Sequence, residues 1–345
     1  MSIDLIIMTY KPDKTFLRQV EEMVSQTLPV DRVIIFNKEE KYFDRLLFTT
    51  KFMDDHKNVE VHHQSAREFD CGKSRNMAAK LSDAEYMIFM EQGVIPEGKD
   101  LIAELQKPFL KDDKVCMSYA RLIPGGECGE GEKHIYKHFF PEESVVKSSR
   151  DEETMGWKAY FASDACAMYK REIFSELGGF FNHVICNEDM LFAAKAIKEG
   201  YKVAYVSEAV AVKNPSGSDG SPFGFAFDTA VSFVKHPELF DAEEIYAELK
   251  RCVKSAVGSA KRTDSSSVHR FKSTADQWVK GFKKGKSFKR LNKNKLHKYS
   301  ANREYWRADE LLRDRSAVDS RQGYGRSEEE IKMLRENKIK THKWE

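Results

Sequence analysis

Three short polar segments carry side chains that could do chemistry. In the first, residues 69–76, Gly72 opens a predicted helix whose first turn holds Lys73, Ser74 and Arg75. A helix N-terminus presents unpaired N–H groups and a partial positive charge, so with cations beside it this segment suits a phosphate or another anion. Cations in a first helical turn are more often simply solvated, and both interpretations remain open.

The second segment, Asn187, Glu188 and Asp189, starts another predicted helix. Adjacent carboxylates at a helix start commonly serve as partners of the helix dipole. Beyond a strand end, a partly desolvated carboxylate can instead take the proton of a hydroxyl as a general base. The third segment, Glu91 and Gln92, directly follows an apolar strand and is in the simplest case a strand-ending turn.

The elements that must position these side chains follow from the first 210 residues, where short apolar runs alternate with amphipathic stretches. The pattern predicts strands at 5–8, 33–36, 59–61, 86–90, 115–119 and 201–206, and helices at 16–25, 73–82, 98–109 and 189–199. Such alternation predicts an α/β fold, with a mostly parallel sheet and helices on both faces. Ligands of these sheets bind beyond the carboxyl ends of the strands, so the residues after each apolar run are the candidates for the site.

The remainder of the chain has a different pattern. Gly, Ser and Pro make residues 214–224 a predicted loop, helices follow after about 225, and the sequence after 311 is highly charged with few large apolar residues. We therefore predict an α/β domain over 1–235, a basic helical extension over 236–310 and a charged C-terminal tail over 311–345.

Composition excludes several classes of protein. The chain has 345 residues, of which 41% are hydrophobic and 12% aromatic, so a sizeable core can form. A disordered, collagen-like or disulfide-scaffold protein is therefore excluded. None of the six cysteines forms a C-x-x-C pair, which argues against a zinc site or a redox dithiol. We expect a cytoplasmic protein, because the N-terminal apolar run is too short for a signal peptide and no window approaches the ~20 apolar residues of a membrane span.

The net charge of +2 hides a strong asymmetry. Residues 251–300 contain fifteen Lys or Arg and two Asp, a net +13 that leaves −11 for the rest of the chain. This segment could be the solvated face of a helix, a nucleic-acid-binding surface or a membrane-facing surface. We favour the membrane, with Trp278, Phe282 and Phe288 in the interface, the cations of residues 270–300 on anionic headgroups and no nucleic-acid partner. The protein would then be peripheral at the inner face of the plasma membrane.

Taken in order, the polar segments resemble family 2 glycosyltransferases of the GT-A fold, and within that family the bacterial rhamnosyltransferase-like group. The resemblance runs from about residue 3 to 307 and rests on many small matches in one order. They lie at residues 8–12, 26–29, 69–76, 119–124, 140–144, 161–164, 178–180, 187–190, 205–209 and 302–306.

The resemblance implies transfer of a sugar from a nucleotide-diphosphate donor to a hydroxyl of a glycan or lipid-linked acceptor, usually with inversion, in bacterial surface polysaccharide synthesis. It assigns Asp189 as the base, with Glu188 as its neighbour or substitute. The implied donor-binding residues are Thr9, Tyr10, Asn37, Arg75, Asn76, Glu91, Gln92 and Lys213, and the implied acceptor-side residues are Arg121, Ser163 and Asp164.

The sequence departs from the family where a divalent metal, Mg²⁺ or Mn²⁺, is expected. Glu91, Gln92 and Gly93 replace the acidic D-x-D-type motif, and residues 212–215 replace a downstream H-S-H, so that Glu91 alone remains of the metal-binding set. One hypothesis is a metal-independent transferase in which Lys213, helped by Arg75 or Lys73, supplies the positive charge. The alternative is a degenerate relative that binds a sugar nucleotide or glycan without turnover.

Overall fold

The structure is a computed structural model that describes residues 1–47, 52–66, 68–126, 128–213, 221–263 and 265–309. Of the segments predicted from the sequence, most of the loop at 214–224 and the whole tail at 311–345 lie outside these residues.

Strands and helices alternate through the first two thirds of the chain, and helices fill the rest. The strands are β1 Ile3–Tyr10, β2 Arg32–Lys38, β3 Val59–Gln64, β4 Tyr86–Glu91, β5 Val94–Pro96, β6 Val115–Pro124, β7 Val145–Lys147, β8 Cys166–Lys170 and β9 Lys202–Lys213. The helices are α1 Lys14–Val24, α2 Glu40–Leu47, α3 Phe52–Asp55, α4 Cys71–Ala79, α5 Leu101–Lys111, α6 Glu130–Phe139, α7 Glu152–Met155, α8 Arg171–Glu176, α9 Glu188–Lys198, α10 Pro222–Lys235, α11 Ala242–Thr263, α12 Ser265–Gly285 and α13 Lys293–Tyr299. Short 3₁₀ turns lie at Ser149–Asp151, Gly156–Tyr160 and Phe288–Arg290.

One sheet, in the order β3-β2-β1-β4-β8-β6-β9-β5, forms the centre of the α/β part, and β7 pairs with β9. The predicted parallel arrangement covers β3, β2, β1 and β4. Beyond β4 the sheet is mixed, because β8 runs antiparallel to both of its neighbours while β6 and β9 are parallel. The sheet has apolar residues on both faces and is covered on both, which is why its central strands are continuous apolar runs.

Strand β9 is longer than the periodicity predicts. The polar residues Ser207 and Glu208 suggest an end near 206, but the strand bulges there and continues to Lys213. Its partner β6 pairs Ala120 with Val206 and then Arg121 with Val210. The residues of β9 between Val206 and Val210 therefore form a bulge. The continuation brings Lys213 to the edge of the sheet at which β4 ends in Glu91.

The helical extension packs directly onto α10. Phe282 of α12 is 1% exposed, lies in the main core and stacks on Tyr246 of α11. A Cβ on Gly281 would lie 2.2 Å from the carbonyl oxygen of Phe223, so α12 approaches α10 at a distance that only glycine allows. The two parts share one core, so the packing shows no boundary at 235. The division into domains at that point stays a prediction.

The placement of two aromatic rings in a membrane interface is wrong. Phe282 is buried, and Phe288 is 7% exposed and packs against Trp306, so neither ring can reach a lipid. Trp278 is half-buried against the core. Burial of apolar area drives these rings inward, and the segment is an amphipathic helix with a solvated basic face. Within the described residues, every helix is too short or too polar to cross a membrane.

Candidate active site

The first turn of α4 is capped from within the chain. Asp70 accepts a hydrogen bond from the backbone N–H of Lys73 at 2.7 Å and another from that of His183 at 3.2 Å. Gly72 lies against residue 181, where a Cβ would be only 1.8 Å from the carbonyl oxygen of Phe181. Because a carboxylate already occupies the helix N-terminus, the interpretation of this terminus as an anion site is not supported.

Arg75, one turn further along α4, is the centre of a buried ion-pair cluster. Its Nε lies 2.5 Å from Oδ2 of Asp164, and its Nη1 lies 2.7 Å from Oε1 of Glu188. Nη1 also donates to the carbonyl oxygen of Cys71 at 3.2 Å. All three charged side chains are less than a tenth exposed. The guanidinium of Arg75 is held by carboxylates of its own chain, and its predicted contact with the donor stays a prediction.

Asp189 lies at the edge of this cluster and differs from its neighbour Glu188. Its Oδ2 accepts from the backbone N–H of Asp164 at 3.0 Å, and its Oδ1 from that of Met190 at 2.7 Å. The left-handed backbone of Asn187, with φ of 65°, starts α9 at this point. Glu188 is 5% exposed and paired with Arg75, whereas Asp189 is only half-buried. Of the two acidic residues, Asp189 is the more exposed.

Burial, together with the excess of carboxylates over cations, raises the pKa values of the carboxyl groups in the cluster. Burial, with the charge of Asp164 beside it, raises the pKa of Asp189 to about 7. Burial likewise raises the pKa of Asp164 to about 7, against the opposing effect of Arg75. Burial also raises the pKa of Glu188, again opposed by Arg75. A carboxylate that titrates near neutral pH is well matched to general-base catalysis.

A second charged pair lies where β4 and β9 end. Nζ of Lys213 lies 2.6 Å from Oε2 of Glu91. Lys213 lowers the pKa of Glu91, and Glu91 raises the pKa of Lys213 even though burial alone would lower it. The two groups are therefore charged at neutral pH and neutralise each other.

The turn after β4 is fastened by side-chain amides. Oε1 of Gln92 accepts from the hydroxyl of Thr9 at 2.7 Å and from the backbone N–H of Tyr10 at 3.0 Å. Gln19 of α1, fully buried, donates to the carbonyl oxygen of Glu91 at 2.7 Å and accepts from the N–H of Gly93 at 2.9 Å. Sequence reasoning missed Gln19, although a glutamine on the buried face of an amphipathic helix was a usable signal.

The remaining predicted residues are divided between the site and the scaffold. Asn37 is fully buried and its Nδ2 lies 3.0 Å from Nδ1 of His63, and its predicted contact with the donor stays a prediction. Asn76 holds the turn after α8 through the N–H and carbonyl of Phe180, at 2.9 and 2.8 Å. Ser163 is half-buried beside the cluster, and Arg121 lies on β6 just after the bulge.

The strand end at Glu91 does not fit a divalent cation. It offers one carboxylate, which is already paired with Lys213, and the amide oxygen of Gln92 already accepts two hydrogen bonds. Elsewhere in the described residues, Glu40, Asp44 and His63 could hold a metal, with one ligand atom from each lying within 4.8 Å of the others. That group belongs to α2 and β3, and β2 and β1 separate β3 from β4 in the sheet.

The architecture is an α/β fold, and sequence comparison identifies the class of enzyme as a glycosyltransferase. The family model "Glycosyl transferase family 2" matches residues 4–178. The O-antigen chain rhamnosyltransferase RfbN of Salmonella typhimurium is 31% identical over 308 residues, which are 89% of this chain and 96% of RfbN. The O-antigen chain rhamnosyltransferase WbaN of Salmonella anatum is 30% identical over 244 residues, which are 70% of this chain and 77% of WbaN. The chain therefore belongs to glycosyltransferase family 2.

A solved structure supports the same fold. The mannosyltransferase PcManGT from Pyrobaculum calidifontis, in complex with GDP-Man and Mn²⁺, aligns with a TM-score of 0.56 at 13% identity. The alignment covers 84% of this chain and 88% of that one. The predicted GT-A fold is confirmed.

The Arg75 cluster predicts a stability change that depends on pH. In Arg75→Met, Asp164 and Glu188 lose their shared cation, and uncompensated burial of charge typically costs about 3–5 kcal/mol. Without Arg75 the folded-state pKa values of both carboxyls rise further above their unfolded values. The folded state then binds more protons, so stability falls as the pH rises. Urea denaturation should show a larger loss at pH 8 than at pH 5.5.

The control is Arg307→Met, whose exposed guanidinium is paired with Glu304. It should cost less than about 0.5 kcal/mol at both pH values. Equal losses for the two variants at pH 8 would contradict the central role of Arg75.

Proposed function

We propose that this protein transfers a sugar, with rhamnose the first to test, from a nucleotide-diphosphate donor to a hydroxyl of a growing bacterial surface glycan, with inversion. The observation that carries the proposal is the half-buried Asp189 carboxylate, fixed by two backbone N–H groups beside the Arg75 cluster. The names of RfbN and WbaN support a rhamnosyl donor and an O-antigen-type acceptor.

The chemistry is a single displacement at the anomeric carbon. The acceptor oxygen forms the new bond to that carbon on the face opposite the leaving group. The bond from carbon to the diphosphate oxygen breaks, and its electron pair leaves with the nucleoside diphosphate. The acceptor proton passes to Asp189, whose pKa of about 7 lets it receive the proton at neutral pH.

A degenerate protein that binds without turnover is the alternative. The cluster favours turnover, because a carboxylate is held at the site by two backbone N–H groups with its pKa raised towards neutrality. A panel of UDP-, dTDP-, GDP- and CMP-sugars, assayed for binding by thermal shift and for transfer to aryl glycosides, separates the two. Binding of one nucleotide without transfer or hydrolysis would favour the alternative.

Asp189 should set the acidic limb of the pH profile. The base works when deprotonated, so the transfer rate should fall about tenfold per pH unit below about pH 7. Asp189→Asn should reduce kcat by about 10²–10⁴-fold. Glu188→Gln is the matched comparison: it perturbs the Arg75 pair but should keep the acidic limb. If Glu188→Gln abolishes the limb while Asp189→Asn retains it, the base is Glu188.

At the ends of β4 and β9, we propose that Lys213 supplies the positive charge that a divalent metal, such as the Mn²⁺ in the PcManGT complex, could otherwise supply. Its ammonium lies at the end of β9, charged and held by Glu91. A lysine can neutralise charge on a leaving diphosphate as a point charge. Glu91 then keeps the ammonium in place until the donor binds.

Lys213→Met should lower kcat about 10²–10³-fold, because a leaving-group cation of this kind acts mainly in the transition state. Wild-type transfer should continue unchanged in EDTA. Lys133→Met, which removes an exposed lysine of α6, serves as the control and should have no effect. Loss of wild-type turnover in EDTA would show that a metal does this work, and full activity of Lys213→Met would show that the lysine does not.

We also propose that the extension binds the inner face of the plasma membrane through charge alone. The cationic surface consists of the exposed side chains Lys280, Lys283, Lys289, Arg290, Lys293, Lys295 and Lys298. The sequence has no acidic residue between Asp276 and Glu304, so this stretch of the chain carries only positive charge. Each cation near an anionic surface contributes about 1 kcal/mol.

Replacing Lys289, Lys293 and Lys295 together by alanine should weaken binding to vesicles that contain phosphatidylglycerol by about 10²-fold, measured by co-sedimentation. High salt should have the same effect on the wild type. The control removes Lys107, Lys111 and Lys133, equal charge from outside the cationic surface, and should sediment like the wild type. Tighter, salt-resistant binding to RNA would refute the membrane proposal.

A further inference from the structure

Lys147, the last residue of β7, is a fully buried lysine outside the cluster described above. Its side chain is 1% exposed and ranks among the largest fully buried ones. It forms no ion pair in the part of the chain that the structure describes, so no carboxylate contact accounts for its burial. Placing an ammonium in the core is costly unless hydrogen bonds compensate.

Three acceptors surround the ammonium and match its three N–H donors. Nζ donates to the hydroxyl of Tyr119 at 3.0 Å, to the carbonyl oxygen of Lys158 at 3.5 Å and to that of Phe161 in a closer contact. The ring of Tyr119 also faces the cation, with its centroid 5.0 Å away. This arrangement suits the protonated form, because a neutral amine has one donor fewer and turns a lone pair towards an acceptor.

The charged and titratable neighbours of Lys147 come from each adjoining element. Burial lowers the pKa of Lys147 to about 7, with Asp151 of the following turn opposing the shift. Burial raises the pKa values of Tyr119 on β6 and Tyr205 on β9, so both remain neutral. The ammonium of Lys158 is directed to Glu248 and away from Lys147. Of the groups named in this paragraph, Lys147 is the one whose pKa lies near 7.

The contact with Phe161 links Lys147 to the base. Phe161 begins the segment 161–164, which ends in Asp164. The backbone N–H of Asp164 donates to Asp189, and its carboxylate pairs with Arg75. The segment is therefore held at its start by Lys147 and at its end by Arg75, and the half-buried Ser163 lies between them.

We propose that Lys147, as an ammonium, is a positioning residue that holds the segment 161–164 so that the Asp164 N–H orients the Asp189 carboxylate. It does not touch the substrate. This inference rests on the proposed function, because it presumes that Asp189 is the base. A role in stability alone would satisfy the same three acceptors but would leave the pH dependence of transfer unchanged, so the pH profile distinguishes the two roles.

The test is Lys147→Met, which keeps the length of the side chain and removes all donors. We expect kcat for transfer to aryl glycosides to fall 10- to 100-fold. The Kd values for UDP, dTDP and GDP, measured in turn by calorimetry, should stay within twofold of the wild type. The midpoint of thermal unfolding should fall, because three buried acceptors lose their donors, and the assays are run below that transition. Lys147→Gln keeps two donors and should be intermediate, and it replaces the methionine variant if that one does not fold.

The pH profile gives a readout that a purely structural role would not change. Wild-type transfer should rise as Asp189 loses its proton and fall again as Lys147 loses its own, which gives an optimum near pH 7. Lys147→Met should lose the falling limb and keep the rising one. Lys202→Met, on the neighbouring strand β9 and paired with Asp112, is the control and should retain both limbs.

The outcomes separate this inference from the proposed function. If the wild type transfers sugar and Lys147→Met matches it in kcat and in the falling limb, the positioning role is wrong and the proposed function stands. If the wild type transfers no sugar from any donor of the panel, the proposed function fails, and this inference fails with it.

Discussion

The buried contact of Arg75 with Asp164 and Glu188 holds together three elements that are distant in the sequence. Helix α4, the segment before β8 and the start of α9 each contribute one charged side chain. Removing these charges from water is costly, so the pairing is specific: each carboxylate requires the same guanidinium. Because one cation serves two carboxylates and Asp189 adds a third, the cluster keeps an excess of negative charge, and this excess contributes to the raised pKa of Asp189.

The balance of charge therefore differs between the part of the site around Asp189 and the part at the ends of β4 and β9. Around Asp189 the charges are unbalanced, which suits a group that must take up a proton at neutral pH. At the strand ends, Glu91 and Lys213 form a balanced pair in which each stays charged. A balanced pair offers a nearby anion a cation that is already oriented, without the open coordination positions that a divalent metal needs. The missing acidic motif and the lysine are thus parts of one arrangement.

The sequence predicts the local features of this fold and not the long-range ones. The apolar runs of β1, β2 and β4 are unambiguous because both faces of these strands are buried. The bulge at Ser207 and Glu208 looks like a strand end in the sequence, although β9 continues past it to Lys213. Local patterns also could not show that Arg75 faces carboxylates 89 and 113 positions away, since spacing carries no information on such contacts.

Amphipathic segments also show that a local sequence pattern cannot predict which surface a side chain packs against. Aromatic rings that alternate with lysines fit a membrane interface and a packed helix equally well, and only the neighbouring surface decides between them. Here that surface is α10, which α12 approaches closely at Gly281. The contact buries Phe282 and leaves the lysines exposed to solvent. Lys147 is the converse case: a charged residue in a short strand is expected outside, yet three acceptors from two other elements are arranged around it. In both cases the tertiary environment, rather than the residue type, determines what the side chain can do.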